Sequence, residues 1–218
     1  MRTKKISLIC TALAGLFIFP AFIAAADLKP IDLPTPQTDI GKPLMQALND
    51  RQTSRNFSGK KLSKQVLSNL LWAAFGINRP DSGKRTAPSA MNWQEIDIYV
   101  ATSEGVYRYN GNAHRLEPVL AKDIRSETGR QGFVRDAPVN LIYVADYSKM
   151  RGADPDRKTF YSGADTGFIS QNVYLYCASE GLATVVRGSV NQSALAKTMN
   201  LKAAQHVTLA QTVGYPEK

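Results

Sequence analysis

The sequence has few of the residues from which disulfides and metal centres are built. Its two cysteines are Cys10 and Cys177. Cys10 lies in an N-terminal segment that we expect to be removed, so the remaining chain cannot form an internal disulfide. The two histidines, His114 and His206, are far apart and have no ligand-type neighbours, so we predict no metal site. The sequence also lacks repeats and low-complexity tracts. The fold must therefore depend on core packing, on a bound cofactor or on a second subunit.

A cleavable export signal is predicted at residues 1–26. The chain starts with a positively charged region, continues with an almost wholly apolar run at residues 6–23, and has three alanines just before Asp27. This order is typical of a secretory signal. The alternative is a permanent anchor, because the apolar run is near the lower length limit for a membrane span. The alanines and the proline-rich segment that follows favour cleavage. We therefore expect a periplasmic or otherwise exported protein with no stable membrane anchor.

Removal of residues 1–26 leaves 192 residues, which is enough for one domain with a full core. The same step removes Arg2, Lys4 and Lys5 and lowers the formal net charge from +9 to +6. The remaining basic residues are scattered, so nucleic acid is not an expected partner. An anionic small molecule or cofactor is a simpler explanation for the charge, with a basic solvated surface as the alternative.

Proline and glycine divide the chain into an arm and a domain. Residues 27–42 contain three prolines and are predicted to form an extended arm, and residues 43–218 are predicted to form the folded domain. Pro43 suits the first turn of a helix that runs to Asp50. Ser63 is expected to cap a second helix, which ends at Gly76.

The pattern of apolar residues predicts the remaining elements. Residues 96–101 alternate as a strand does, and a turn at Glu104-Gly105 leads to a hairpin partner at 106–109. Residues 165–179 are apolar on nearly every side, which predicts a central buried helix ended by Gly181. The other predictions are an irregular segment at 78–92, helices at 116–128 and 193–199, a buried strand at 139–145, a loop at 148–163 and a last strand at 206–215. This mixture indicates the α+β class, with a mixed, mostly antiparallel central sheet flanked by helices.

The first candidate site is the segment Arg51-Gln52-Thr53-Ser54-Arg55, at the end of the first helix. Guanidinium groups bind phosphate through paired hydrogen bonds, and hydroxyl groups add short donors. Taken alone, the pattern also fits solvated arginines that interact with the helix dipole.

The second candidate site is the loop at residues 85–92, Arg-Thr-Ala-Pro-Ser-Ala-Met-Asn, immediately before a predicted strand. Small and hydrogen-bonding residues on such a loop often bind ligands when a rigid scaffold holds them. An ordinary turn is the alternative.

Together the two segments resemble the nitroreductase family of FMN enzymes, and the resemblance covers roughly residues 43–216. The order and spacing of several short motifs carry it. They are Arg-x-Thr-x-Arg-x-Phe at 51–57, Pro-Ser-x-x-Asn at 88–92, Asp-Ala-Pro at 136–138, Gln-Asn at 171–172, Gly-Leu at 181–182 and Gly-Tyr-Pro at 214–216. The segment Leu-Trp-Ala-Ala-Phe-Gly-Ile-Asn at 71–78 is similar to the SagB-type oxidoreductase branch.

The resemblance implies a nitroreductase-like fold, an interlocked homodimer and two FMN sites at the dimer interface. It implies that Arg51, Gln52, Thr53 and Arg55 hold the phosphate and the ribityl chain. Pro88, Ser89 and Asn92 match the loop that approaches the isoalloxazine ring, in relatives partly from the partner subunit. Arg187 and Gly188 fall in the stretch 186–188, where relatives bring backbone N–H groups near flavin N5. One departure is that only Glu217 and Lys218 follow the final Gly-Tyr-Pro, where many relatives have a phosphate-binding Lys or Arg.

The implied chemistry is two-step hydride transfer through flavin N5, between a small-molecule donor and a small-molecule acceptor. The family needs no dedicated protein acid or base, so we nominate no catalytic residue. Trp93, Phe160 and Tyr161 are candidate walls of the acceptor site, with core or interface packing as the alternative. Two other functions stay open, namely a non-enzymatic flavin-binding or redox-carrier protein, and a structural domain that has lost FMN.

Overall fold

The computed structural model describes residues 28–217. The predicted signal at residues 1–26, Asp27 and Lys218 lie outside the described residues. Between residues 28 and 217, no helix combines the length and the apolar character that crossing a membrane requires.

A seven-stranded sheet forms the centre of the structure, and all its neighbouring strands run antiparallel. The described strands in chain order are β1 (Ile31–Asp32), β2 (Ile77–Arg79), β3 (Lys84–Arg85), β4 (Ile96–Ala101), β5 (Val106–Asn110), β6 (Arg115–Leu120), β7 (Val139–Asp146), β8 (Ala183–Arg187) and β9 (Gln205–Gly214). The strand order in the sheet is β1-β6-β5-β4-β7-β9-β8, and β2 and β3 form a separate ladder. The described helices are α1 (Leu44–Asp50), α2 (Lys64–Phe75), α3 (Phe133–Asp136), α4 (Pro155–Glu180) and α5 (Gln192–Thr198). These elements confirm the α+β class.

Helices cover both faces of the sheet. Because side chains alternate along a strand, Ile98 and Val100 of β4 point to the core shared with α2 and α4. Tyr99 points to the opposite core, which includes residues of α5. Strand β7 lies between β4 and β9, and all its residues except Asp146 are buried. This two-sided burial explains its continuous apolar sequence.

Local signals predicted the ends of two helices correctly. The Ser63 side chain accepts a hydrogen bond from the Val66 N–H at the start of α2. Gly181 ends α4 in the left-handed conformation, with φ of 68°, which glycine adopts at little cost.

Three segment predictions were wrong. The predicted helix at 116–128 is replaced by β6, which pairs with β5 across a short turn, and by a single 3-10 turn at Arg125–Glu127. The predicted loop at 148–163 ends early, because α4 begins at Pro155 with Asp154 as its N-cap. The irregular segment at 78–92 contains most of the β2–β3 ladder.

Helix α4 is also less buried than its apolar composition predicted. Its buried residues follow one stripe with three- and four-residue spacing, and they are Ser162, Asp165, Thr166, Ile169, Ser170, Val173, Tyr174 and Cys177. Phe160 and Phe168 lie off this stripe and are exposed in the single chain. One side of α4 therefore packs on the sheet and another is open.

Candidate functional site

The segment after α1 lies along the free edge of β8. Strand β8 is the last strand of the sheet, so only one of its edges is paired with β9. On the other edge, the Ser54 N–H donates to the Thr184 carbonyl oxygen at 3.0 Å. This bond fixes the predicted phosphate-binding segment against the sheet.

Tyr174 of α4 joins the same segment to β8. Its hydroxyl lies 3.0 Å from the Thr53 hydroxyl and accepts a hydrogen bond from the Val186 N–H, also at 3.0 Å. The Arg51 guanidinium lies over the Tyr174 ring, 5.5 Å from its centroid. Sequence reasoning missed Tyr174, because its role depends on a contact across 121 positions of the chain. No local pattern signals such a contact.

The structure therefore brings the 51–55 segment and the 186–188 stretch together, as a ligand held by both requires. Gln52, Thr53 and Arg55 are exposed, and Arg51 is half-buried. A cleft of about 370 Å³ opens beside them, with Gln52, Ser54 and Thr184 in its lining.

The charged groups of this region are of two kinds. Lys42 and Asp50, which line the cleft, neutralise each other in an ion pair of 2.7 Å. Neither Arg51 nor Arg55 takes part in the ion pairs found within residues 28–217. Their guanidinium groups are therefore left to bind a ligand or solvent, and with the nearby hydroxyls they fit a phosphate ester and a polyol chain.

Arg187 is held differently from the other arginines. Its side chain is buried and donates to the Thr128 carbonyl at 2.6 Å, to Asn140 Oδ1 at 2.9 Å and to Thr212 Oγ1 at 2.8 Å. Burial lowers the pKa of the guanidinium to about 10, so the group keeps its charge at neutral pH. Arg187 is thus available to a ligand only through its backbone, whereas Gly188 is exposed at the end of β8.

The loop at 88–94 has an unusual backbone. Met91, Asn92 and Gln94 have φ of 51°, 55° and 49°, a conformation that costs energy for residues other than glycine and is concentrated at functional sites. The Ser89 hydroxyl accepts a hydrogen bond from the Gln94 N–H at 2.8 Å and so closes the loop. Pro88, Ser89 and Asn92 line a polar cleft of about 230 Å³ with three basic residues.

An aromatic cluster joins this loop to α4. Its members are Trp93 of the loop and Phe160 and Tyr161 of α4. The Tyr161 ring centroid lies 5.9 Å from that of Trp93 and 5.2 Å from that of Phe160. Phe160, Tyr161 and Phe168 line an apolar cavity with Pro88 and Ser89. The structure therefore groups the three predicted wall residues, and their contact with an acceptor stays a prediction.

The two candidate segments do not meet within one chain. The first contacts α4 at Tyr174, and the second contacts α4 at Asp165, whose Oδ2 accepts the Ala90 N–H at 2.9 Å. Nine residues of helix separate the two contacts, or roughly 13 Å along its axis. The two segments therefore lie apart along α4, and their joint contact with one ligand stays a prediction.

Comparison with known proteins identifies the family of the chain. The model of the nitroreductase family matches residues 48–215. A Methanocaldococcus jannaschii protein assigned as a nitroreductase is 30% identical over 169 residues, which are 73% of this chain and 85% of the relative. A crystal structure of a protein assigned as a nitroreductase, from Ralstonia eutropha JMP134, has a TM-score of 0.84 and 41% identity, and covers 97% of this chain and 100% of that one. A Desulfovibrio desulfuricans protein assigned as a nitroreductase, crystallised with FMN, shares the fold with a TM-score of 0.60 at 23% identity, over 81% of this chain and 88% of that one.

The fold and the site thus define an α+β protein with two arginines, unpaired among the described residues, beside a free sheet edge and with a constrained polar loop. The chain belongs to the nitroreductase family. Its fold is nitroreductase-like, as the sequence motifs predicted.

Proposed function

We propose that the protein is an FMN-dependent oxidoreductase of the nitroreductase family that acts as a homodimer in the cell envelope. The observation that carries the proposal is the pairing of the 51–55 segment with the edge of β8. It brings Arg51 and Thr53 to Tyr174 beside the β8 backbone, with Gln52 and Arg55 exposed on the same segment. FMN is the cofactor, and its phosphate and ribityl hydroxyls match this donor set.

Each part of the site has a separate task. Arg51 and Arg55 bind the phosphate, and Gln52 and Thr53 bind the phosphate or the ribityl chain. The backbone of residues 186–188 approaches flavin N5, while the Arg187 side chain stabilises the interior. Pro88, Ser89 and Asn92 of a second subunit approach the ring. Bound FMN supplies hydride transfer at N5 between a donor and an acceptor that are still to be identified.

Exposed apolar residues support the homodimer. Met45 and Leu44 of α1 are 76% and 61% exposed, and Phe160 of α4 is 69% exposed. Exposed apolar clusters mark interaction surfaces. In a dimer that places the 88–94 loop of one subunit at the 51–55 segment of the other, these surfaces would be covered by the second copy.

The segment at 71–78 supports a place in the SagB-type branch. It forms the end of α2 and the start of β2. The azoline-oxidising activity known in that branch is not transferred here, because the chain itself indicates no peptide-modifying partner.

The function is tested with purified protein and added FMN. We expect a yellow protein whose flavin is reduced by a chemical or pyridine-nucleotide donor and is reoxidised by nitroaromatics, quinones or a modified peptide. Flavin reduction without turnover on any acceptor would favour the redox-carrier alternative. A colourless protein that does not bind FMN would refute both and leave a structural domain.

The predicted export signal makes the location a separate proposal. Since the general export route passes unfolded chains, FMN would be loaded outside the cytoplasm, where NAD(P)H is expected to be scarce. We expect a mature chain that begins near Asp27, found in the periplasmic fraction by mass spectrometry of its N-terminus. A chain that begins at Met1 and stays with the membrane would contradict the location without affecting the flavin assignment.

A further inference from the structure

Two buried carboxyl groups lie beneath the 88–94 loop. Glu95, just before β4, is 0% exposed, and Asp165 of α4 is 2% exposed. Acidic residues are rarely buried completely unless a cation or several hydrogen bonds stabilise them. Neither residue belongs to an ion pair found within residues 28–217. The pair therefore needs another explanation.

Both carboxyl groups accept hydrogen bonds from the 88–94 loop. The Ser89 hydroxyl donates to Glu95 Oε2 at 3.2 Å while it accepts the Gln94 N–H. Asp165 Oδ2 accepts the Ala90 N–H at 2.9 Å. The two acids thus hold the segment in which Met91, Asn92 and Gln94 have positive φ.

One oxygen of the pair lacks a donor. Glu95 Oε1 is buried and has no hydrogen-bond partner among the described residues. Ser89 and Ala90 are consecutive residues, so the carboxyl groups bonded to them lie close together. Two close buried carboxyl groups cannot both ionise without strong repulsion, and one usually keeps a proton. A proton on Glu95, donated to Asp165, would satisfy the unpaired oxygen and remove one of the two charges.

The charged and titratable groups around Glu95 and Asp165 bond to other partners among the described residues. Lys149 donates to the Gln94 carbonyl at 3.3 Å and to Asp97 Oδ1 at 2.9 Å. The Asp146 carboxylate accepts from Ser148, and Arg85 donates to the Gln94 side chain. On the adjoining part of α4, Arg157 lies over the ring of Tyr161, which is itself titratable, and Lys158 lies over the ring of Tyr147.

We propose that Glu95 and Asp165 share one proton, and that this proton holds the 88–94 loop in the shape that presents Ser89 and Asn92 to the flavin. The inference rests on the proposed function for its flavin part. Glu95 and Asp165 are positioning residues, since they act through Ser89 and Ala90 and are themselves buried.

The proposal predicts a loop that loosens as pH rises. Burial raises the pKa of Glu95 to about 7, and the charge of Asp165 and a hydrogen bond with it add to the rise. Because this pKa lies above the unfolded value, the stabilisation is complete below the ordinary value of 4.5 and is lost as pH rises through about 7. At higher pH two carboxylates face each other, and their repulsion opposes the arrangement that holds Ser89 and Ala90, although a charged Glu95 accepts the Ser89 hydroxyl more strongly.

The proton is tested directly by infrared spectroscopy of the flavin-free protein. We expect the C=O band of a protonated carboxyl group to disappear with a midpoint near pH 7, because burial raises the pKa of Glu95 to about 7. Glu95→Gln should lack this band. Asp165→Asn should keep the band. Its midpoint should lie at lower pH than in the wild type, because the repelling charge is gone, but at higher pH than that of a free glutamate, because Glu95 is still buried. Glu104→Gln, at an exposed carboxyl group on the β4–β5 turn, is the matched control and should behave as the wild type.

The loop is tested by two further measurements. In a Trp72→Phe background, which leaves Trp93 as the tryptophan of the described residues, the fluorescence should change with the same midpoint and should be flat when Glu95→Gln is added. FMN affinity should fall by about fivefold between pH 6 and pH 8, as one linked proton gives when binding raises the pKa by one unit from about 7, and the fall should be absent in Glu95→Gln. Trp93 reports on the loop without FMN.

The outcomes separate this inference from the proposed function. If FMN does not bind, the proposed function fails, while the infrared and fluorescence titrations still decide the shared proton. If the wild type shows no carboxyl band that Glu95→Gln removes, the shared proton is refuted. If the band is present but Trp93 fluorescence has the same pH profile in both proteins, the proton does not hold the loop, and the proposal is overturned.

Discussion

Replacement of both Arg51 and Arg55 by glutamine should abolish measurable FMN binding while the protein stays folded. A hydrogen bond to a charged group contributes about 1.5–3 kcal/mol, so each arginine accounts for roughly 10- to 150-fold in affinity and the pair for at least about 100-fold. Both side chains project from the segment after α1 and are at most half-buried. Fluorescence quenching of added FMN measures the affinity, and circular dichroism checks the fold.

Arg151→Gln is the matched control for these substitutions. Arg151 is exposed on the turn before α4, so its loss changes the net charge by the same unit without touching the proposed site. The control should bind FMN as the wild type does. Equal weakening by Arg151→Gln and Arg55→Gln would show that only general electrostatic attraction is at work, and it would remove the phosphate role.

A mixed dimer tests whether both segments reach one flavin from different subunits. One chain carries Arg51→Gln and Arg55→Gln, and the other carries Ser89→Ala and Asn92→Ala. If the site is shared between subunits, the mixed dimer has one site with all its residues and should bind about one FMN per dimer, whereas either variant alone binds none. If each site belongs to one chain, every site in the mixed dimer is damaged and no FMN binds.

The features that the sequence predicted well depend on local interactions. Ser63 caps α2 through a bond to the N–H three residues later, and Gly181 ends α4 by its own conformational freedom. The alternation of side chains in β4 could be recognised from the sequence because the two faces of the strand contact two separate cores. The family motifs then gave the fold, which the matches to the family and to the Ralstonia structure confirm.

The failures depend on contacts between distant parts of the chain or on missed signals. The composition of residues 116–128 suits a helix, but Leu116 pairs with Tyr109 and Pro118 with Tyr107, so sheet pairing decides the local structure. The start of α4 was available from the sequence, since Asp154 followed by Pro155 is a helix-start signal. The exposure of Phe160 and Phe168 could not be read from their apolar character, because that character suits a dimer surface as well as a core.

The motifs predicted the residues of the candidate site, but they did not predict the residues that hold these in place. Arg51, Thr53 and Ser89 were identified from the family pattern, whereas Tyr174, Glu95 and Asp165 were not. Tyr174 connects Thr53 with Val186, Glu95 accepts a hydrogen bond from Ser89, and Asp165 accepts one from Ala90. These residues have no motif of their own, since their partners lie far away in the sequence or are backbone groups.

Arg187→Met should strongly destabilise the fold, because the guanidinium joins three parts of the interior. Its partners are Thr128 in the turn before α3, Asn140 of β7 and Thr212 of β9. The substitution keeps the apolar stem but leaves the Thr128 carbonyl without this donor, while Asn140 and Thr212 still bond to each other. We expect a loss of about 3 kcal/mol in the free energy of unfolding, or roughly 6–12 °C in Tm for a domain of this size. Thermal and urea denaturation measure it.

The opposite result is physically possible, which makes the measurement informative. Arg187 is a buried cation, its Nε–H lacks an acceptor among the described residues, and burial of a charge carries a large desolvation penalty. If Arg187→Met equals the wild type in stability, desolvation cancels the hydrogen bonds and the residue is not a structural support. Gly129 gives a second test, since a methyl group there would clash with Arg187 Nη1. Gly129→Ala should destabilise the wild type but have little effect on Arg187→Met, and this coupling in a double-mutant cycle would show that Gly129 is required by the guanidinium that packs against it.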